Sequence, residues 1–278
     1  MTMAPTVHAG ACDCHIHVYD DAHALAPNAT FTPPHAPAAA YRDVQRALGT
    51  TRVIVVQPTG YGFDNRCTLA AIHQLGAGAR GIAVVPPDVT DAELGRLHEA
   101  GVRGVRYMML AGGLLPWASL ENMAAHIADL GWNINLQLDG RDLPAHEALL
   151  RRLPSRLVID HIGKFLGPVQ PESAAFASLL RLLDAGHCWV KLSAPYESSR
   201  SGPPSYADVA PLVRTLALHR LDRCLWASNW PHPNIRPQPS DAGLFDWVRG
   251  CVETEDDWEK ILVDNPAELY GFSKEETP

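Results

Sequence analysis

Short apolar, β-branched runs recur along the chain, separated by stretches whose apolar residues fall at helical spacing. The runs are ACDCHIHV (11–18), RVIVVQP (52–58), RGIAVVP (80–86), VRGVRYMML (102–110), WNINLQLD (132–139), RLVIDHIG (156–163), HCWVKLSA (187–194) and RCLWASN (223–229). Several are almost continuously apolar, which is the pattern of strands buried on both faces of a parallel sheet. Between them, DAELGRLHEAG (91–101) has an acidic first turn and a glycine stop. SLENMAAHIADLG (119–131) opens on a capping serine, DLPAHEALLRRLP (142–154) stops at proline, and YADVAPLVRTLALHRL (206–221) keeps helical spacing. Strand then helix, eight times over, predicts the α/β class and a single (β/α)8 TIM barrel as one domain over residues 1–278. FTPPHAPAAA (31–40) falls between the first strand and its helix and reads as a long loop over the barrel mouth.

Composition narrows the partners. With 46% hydrophobic and 19% charged residues the chain can bury a large core. A net charge of −8 weighs against nucleic acid and anionic membrane surfaces. No apolar window approaches the ~20 residues of a membrane span. MTMAPTVHAGACD lacks the basic-then-apolar order of a signal peptide. Cys12, Cys14, Cys67, Cys188, Cys224 and Cys251 are scattered without a C-x-x-C pair, so reduced, buried thiols in a cytoplasmic protein are expected. The expected partner is a small molecule, and homo-oligomerisation is left open.

Barrel chemistry gathers at the C-terminal strand ends. The first strand ends with His15 and His17, two apart and therefore on one side. Thr59 follows the second strand, and the fourth carries Arg103 and Arg106. The fifth gives Gln137 and Asp139, and the sixth Asp160 and His161. Lys191, Ser193, Tyr196 and Glu197 close the seventh, and Ser228, Asn229 and His232 the eighth. Isolated histidines on helices (His73, His98, His126, His219) read as structural, and Arg103 as a rim ion-pair partner. Lys191 suits a buried ion pair as well as a ligand contact. Three converging imidazoles, His15, His17 and His161, point to chemistry instead.

D-C-H-I-H (13–17), V-I-D-H-I-G (158–163), S-N-W-P-H (228–232) and I-L-V-D-N-P-A-E-L-Y-G-F (261–272) resemble the amidohydrolase superfamily over essentially the whole chain. Within it, the chain looks like the 2-pyrone-4,6-dicarboxylate lactonase-like branch. V-Q-P-T-G-Y-G-F-D-N (56–65), L-Q-L-D-G-R (136–141), G-K-F-L (163–166) and K-L-S-A-P-Y-E (191–197) look most like the galactarolactone isomerases of that branch. Metal-dependent members hold an ion with the H-x-H pair, further histidines or a carbamylated lysine, and a strand-eight aspartate. The matching positions here are His15, His17, His161 and Asn229. An amide is a poor zinc ligand and cannot act as a base. The branch includes metal-independent members, so no cofactor is expected. Zinc or another divalent ion, if bound, falls to His15, His17 and His161.

The resemblance implies metal-independent isomerisation of a sugar-acid lactone, of the galactaro-1,5-lactone to 1,4-lactone type. Intramolecular acyl transfer with histidine acid/base chemistry would carry it. His15, His17, His161 and Asn229 are the catalytic candidates. Arg106, Thr59, Gln137, Asp139, Lys191, Tyr196, Glu197 and His232 are the candidate substrate contacts. The alternatives are a lactonase acting on a sugar-acid or pyrone-dicarboxylate-like lactone, and a sugar-acid-binding barrel without catalysis.

Overall fold

The computed structural model describes residues 9–273; most of the segment read for a signal peptide lies outside them. Eight parallel strands follow one another in sequence order. They are β1 (Cys12–Ile16), β2 (Arg52–Val56), β3 (Ala79–Ala83), β4 (Val102–Met108), β5 (Asn133–Gln137), β6 (Arg156–Ile159), β7 (Cys188–Leu192) and β8 (Cys224–Trp226). The residues just past β8 return to β1: His17 N donates to the Trp230 carbonyl at 2.8 Å, and Asn229 N to that of His15 at 3.0 Å. Each strand is followed by a helix: α1 (Ala38–Leu48), α2 (Arg66–Leu75), α3 (Asp91–Glu99), α4 (Leu120–Ala128), α5 (Leu143–Leu150), α6 (Ala174–Asp184), α7 (Ala210–Arg220) and α8 (Asp241–Arg249). Short α9 (Glu255–Glu259) and α10 (Asn265–Tyr270) follow α8. This is the (β/α)8 barrel that the alternating runs predict. Among the described residues, no helix is long and apolar enough to cross a membrane.

Boundaries moved where backbone chemistry overrides periodicity. Each strand stops short of its apolar run, and the surplus residues, such as 160–163 and 227–229, form the loops at the barrel mouth. The predicted loop 31–40 ends early, because Pro37 is the N-cap of α1 and Ala38–Ala40 are helical. The helix expected from 206 starts at Ala210 instead, after Tyr206 takes a positive φ. Ser119 precedes α4 as expected, yet its hydroxyl donates to the Pro116 carbonyl rather than capping.

Two apolar layers result. Val53 and Val55 of β2 face the helices, while Ile54 and Val56 face the barrel interior with Cys12, Cys14, Val158 and Leu225. Leu269, Tyr270 and Phe272 belong to the same inner cluster. Arg52 and Arg80 stack on the Phe272 ring at 5.0 and 4.7 Å. All six cysteines are buried and free, in line with the expected reduced thiols.

One irregularity aims the chemistry. The pairing of β1 with β2 slips between Asp13 and Ile16. Before the slip Asp13 points outward to the Tyr41 hydroxyl of α1, 3.0 Å away. After it, Ile16 packs in the outer layer and the His15 and His17 rings meet inside. A bulge of this kind re-aims side chains without ending a strand.

Candidate active site

A cavity of about 240 Å³ opens at the C-terminal mouth of the barrel. His17, His161, Asn229, Arg106, Thr59, Gln137, Tyr196, Glu197 and His232 line it, each a candidate from the sequence. His15, Lys191 and Asp139, expected beside them, do not. Lys191 and His15 lie fully buried. Asp139 instead pairs with Arg141 and accepts from the Leu166 amide. Arg103 turns outward to the His98 carbonyl of α3. His98, His126 and His219 bond Trp132, Asp91 and Asp184 away from the cavity, and His73 is exposed on α2.

The buried layer orients the imidazoles above it. Lys191 Nζ stands 3.0 Å from Asp160 Oδ1, 3.0 Å from His15 Nδ1 and 2.5 Å from Asn135 Oδ1. An ammonium only donates, so His15 Nδ1 accepts, and neutral His15 carries its proton on Nε2. That proton faces His17 Nε2 at 3.2 Å, while His17 Nδ1 donates to the Val56 carbonyl at 2.8 Å. Burial, reinforced by Lys191 at His15 and by Arg106 at His17, holds both imidazoles well below the usual histidine range. Burial also lowers His161 to about 4, against the pull of Asp160. Its Nδ1 is 2.9 Å from Ser193 Oγ. Burial opposes the charge on Asp160, but the Lys191 ammonium outweighs it and holds the carboxyl well below the usual range. At neutral pH the three imidazoles are therefore uncharged.

Arg106 supplies positive charge at the cavity. Nη1 donates to the Gln57 carbonyl at 2.9 Å and Nη2 to Gln137 Oε1 at 3.0 Å. Nε has no partner, and among the described residues no carboxylate bonds this guanidinium. Glu197 is paired with Lys164, a cavity residue absent from the candidates. Across the cavity Asn229 Nδ2 donates to Tyr196 Oη at 2.9 Å. Tyr196 Oη is 2.7 Å from His232 Nδ1, and His232 Nε2 is 2.9 Å from Asp241 Oδ1 at the start of α8. Asp241 and Lys164 escaped the sequence reading because neither ends a strand. Tyr19 and Phe31 also line the cavity from the first βα loop, the loop expected to cover the mouth.

Positive φ at non-glycine residues clusters on this rim: His161, Ile162 and Lys164 after β6, Ala194 after β7, Asn229 and His232 after β8. Left-handed backbone costs ~1–2 kcal/mol per residue and persists where surrounding structure enforces it.

The amidohydrolase family model matches residues 12–272. The chain belongs to the amidohydrolase family. It is 36% identical to a 2-pyrone-4,6-dicarboxylate hydrolase of Comamonas testosteroni, with 94% of this chain and 90% of that protein covered. It is 35% identical to a D-galactarolactone isomerase of Agrobacterium fabrum, covering 97% and 94%. An apo crystal structure of an Agrobacterium tumefaciens protein superposes with a TM-score of 0.91 at 34% identity, covering 97% and 98%. The protein is thus an amidohydrolase-superfamily enzyme whose relatives act on lactones.

Amidohydrolases commonly use a metal at the barrel mouth. His15, Asp160 and His161 bring ligand atoms within 4.8 Å of one another; His17, expected in the set, is not among them. The Lys191 ammonium already occupies the space beside His15 Nδ1 and Asp160 Oδ1. A divalent ion held by those two atoms would face that fixed positive charge. The β8 position is a neutral amide, committed as a donor to Tyr196. As arranged, the donors do not fit a divalent ion.

Proposed function

We propose that this amidohydrolase isomerises a sugar-acid lactone by intramolecular acyl transfer, without net addition of water. Asn229 carries the reading. At the end of β8 the cavity meets an amide bonded as a donor to Tyr196. An amide cannot take a proton from water. The remaining walls suit a substrate that brings its own nucleophile, a ring hydroxyl. That hydroxyl attacks the lactone carbonyl and loses its proton; the former ring oxygen leaves and gains one. Holding both groups on one molecule supplies much of the rate through proximity.

The lining supports the substrate class. Arg106, buried and without a carboxylate partner, suits the substrate carboxylate or the developing oxyanion. Gln137, Thr59 and the ion-paired Glu197 and Lys164 offer acceptors and donors that suit hydroxyls. Among the uncharged groups on the cavity wall, His161 and Tyr196 can exchange a proton with the substrate. His17 offers less, since its Nε2 lone pair faces the His15 proton.

A second reading, hydrolysis, has a specific support: one relative is named a pyrone-dicarboxylate hydrolase. Galactaro-1,5-lactone followed by NMR in ¹⁸O-enriched water separates the two. Isomerisation gives the 1,4-lactone first, with no ¹⁸O in it. Open-chain galactarate carrying ¹⁸O as the first product would establish the hydrolase instead.

A further inference from the structure

We propose that the proton carrier of the reaction is a relay, Tyr196–His232–Asp241, whose direction is set by Asn229. The inference rests on the lactone-isomerase reading and supplies its acid/base group. Four side chains are joined end to end: Asn229 Nδ2 to Tyr196 Oη at 2.9 Å, Tyr196 Oη to His232 Nδ1 at 2.7 Å, and His232 Nε2 to Asp241 Oδ1 at 2.9 Å. Asn229, Tyr196 and His232 all line the cavity, and the His232 ring is fully buried.

Proton positions follow from the ends inward. The Asp241 carboxylate only accepts, so His232 Nε2 donates to it. A neutral His232 then has its lone pair on Nδ1, and Tyr196 O–H donates there. Tyr196 Oη keeps two lone pairs. Asn229 N–H takes one, and the other is left for a substrate hydroxyl. This is the one arrangement that pairs every group with His232 neutral. It is the logic of a hydroxyl–histidine–carboxylate triad, with a phenol in the hydroxyl's place.

The step balances. The attacking substrate hydroxyl gives its proton to Tyr196 Oη as its oxygen bonds the lactone carbonyl carbon. Tyr196 passes its own proton to His232 Nδ1, and the Asp241 carboxylate stabilises the imidazolium. When the tetrahedral intermediate collapses, the ring C–O bond breaks and its electron pair goes to the leaving oxygen. That oxygen takes a proton from Tyr196, which recovers one from His232. No proton is gained or lost overall.

An aspartate at 229 would reverse the first link. A carboxylate accepts, so the Tyr196 proton would turn toward position 229 and away from His232. The amide therefore does more than remove a base: it points the tyrosine's proton at the histidine. Tyr196 is the catalytic residue here, and His232, Asp241 and Asn229 are positioning residues.

The test combines kinetics on galactaro-1,5-lactone with ¹⁵N NMR of the His232 ring in the full-length protein. Y196F keeps the ring packing and is expected to lose kcat by on the order of 10²–10⁴-fold, the usual worth of a positioned acid/base group, with KM changed less than about threefold. D241N can still accept from Nε2–H and hold the loop, so a purely structural role would survive it. The relay predicts a kcat loss of at least about tenfold in D241N at unchanged KM, because an amide cannot offset the imidazolium charge. NMR should find His232 protonated at Nε2 and unprotonated at Nδ1, and N229D should weaken the hydrogen bond at Nδ1. Y196F or D241N within about threefold of wild-type kcat, or a proton on Nδ1 of the resting enzyme, overturns the relay while the isomerase reading stands. If the wild type forms no 1,4-lactone, the isomerase reading fails on its own. The His232 tautomer then decides the relay alone.

Discussion

Arg106 and Lys191 are both cations buried inside the barrel, and their surroundings assign them opposite work. Arg106 spends two of its donors on the neutral acceptors Gln57 O and Gln137 Oε1, with no carboxylate bonded to it among the described residues. In the proposed reaction its charge is left for the substrate carboxylate or oxyanion. R106M is expected to lower kcat/KM by roughly 10–100-fold, the worth of charge-assisted hydrogen bonds. R106K should recover little, because an ammonium cannot reproduce the two-pronged donor geometry. Steady-state kinetics with circular dichroism as a folding control checks both. Lys191 is consumed by Asp160 within a site closed to solvent. K191M leaves a buried carboxylate uncompensated and should cost about 3–5 kcal/mol of stability. The double variant K191M/D160N should regain most of that loss, since two neutral groups carry no orphan charge. Urea midpoints of the single and double variants measure it. Equal midpoints for K191M and wild type would show that the pair contributes nothing.

Elements differ in how far the sequence discloses them. The eight strands are legible because parallel strands buried on both faces must be apolar throughout, and the mouth residues are legible because barrel sites sit at strand ends. The H-x-H pair was expected on one side, and it is, but the β1 bulge that aims it inward leaves no periodic mark. What periodicity cannot show is how side chains turn within a loop. Asp139 bends back to Arg141, and His15 sinks to Lys191 below the cavity floor. Lys164 reaches the cavity through a left-handed backbone that its sequence does not announce. Asp241 enters the site from a helix start, nine residues after the histidine it holds. Close approach between strands is a further hidden constraint. A Cβ at Gly104 of β4 would lie 2.5 Å from the Asn133 carbonyl oxygen of β5. That contact is with backbone and cannot rotate away. G104A should therefore force β4 from β5 and lower stability by about 1–3 kcal/mol, the usual cost of overpacking. G81A meets the flexible tip of Ile72 at 2.4 Å and should cost less. Thermal melts of the two variants side by side give the order.

Several titrating groups are buried, His15, His17, His161, Asp13 and Asp160 among them, and the shifts that burial and their neighbours impose make stability depend on pH. His161 falls from an ordinary 6.5 to about 4 on folding, chiefly through burial. Below pH 6.5 the unfolded chain takes up a proton that the folded one refuses, so acid favours unfolding down to about pH 4. Over that window His161 alone corresponds to about 3 kcal/mol. His15 and His17 are also held well below the usual histidine range and act in the same direction. Asp160, held well below its usual range mainly against burial by Lys191, adds to the loss as pH drops through the carboxylate range. Asp13 opposes them. Burial raises it to about 6 despite its bonds from Ser228, His15 and Tyr41, so the folded state takes up that proton first between pH 6 and 3.8. Its effect there is comparable to that of His161 and opposite in sign. The surplus left by His15, His17 and Asp160 decides the outcome. Urea midpoints taken at pH 7.5, 6, 5 and 4 should fall steadily toward acid, with the first decline already visible between 7.5 and 6, where proton uptake by the three histidines of the unfolded chain outweighs the onset of Asp13 protonation. H161Q, neutral throughout, should make that first decline shallower. A midpoint that holds level or rises from pH 7.5 to 6, where Asp13 contributes least, would mean that the imidazoles take up protons inside the folded barrel, and the uncharged His161 at the cavity wall would go with it.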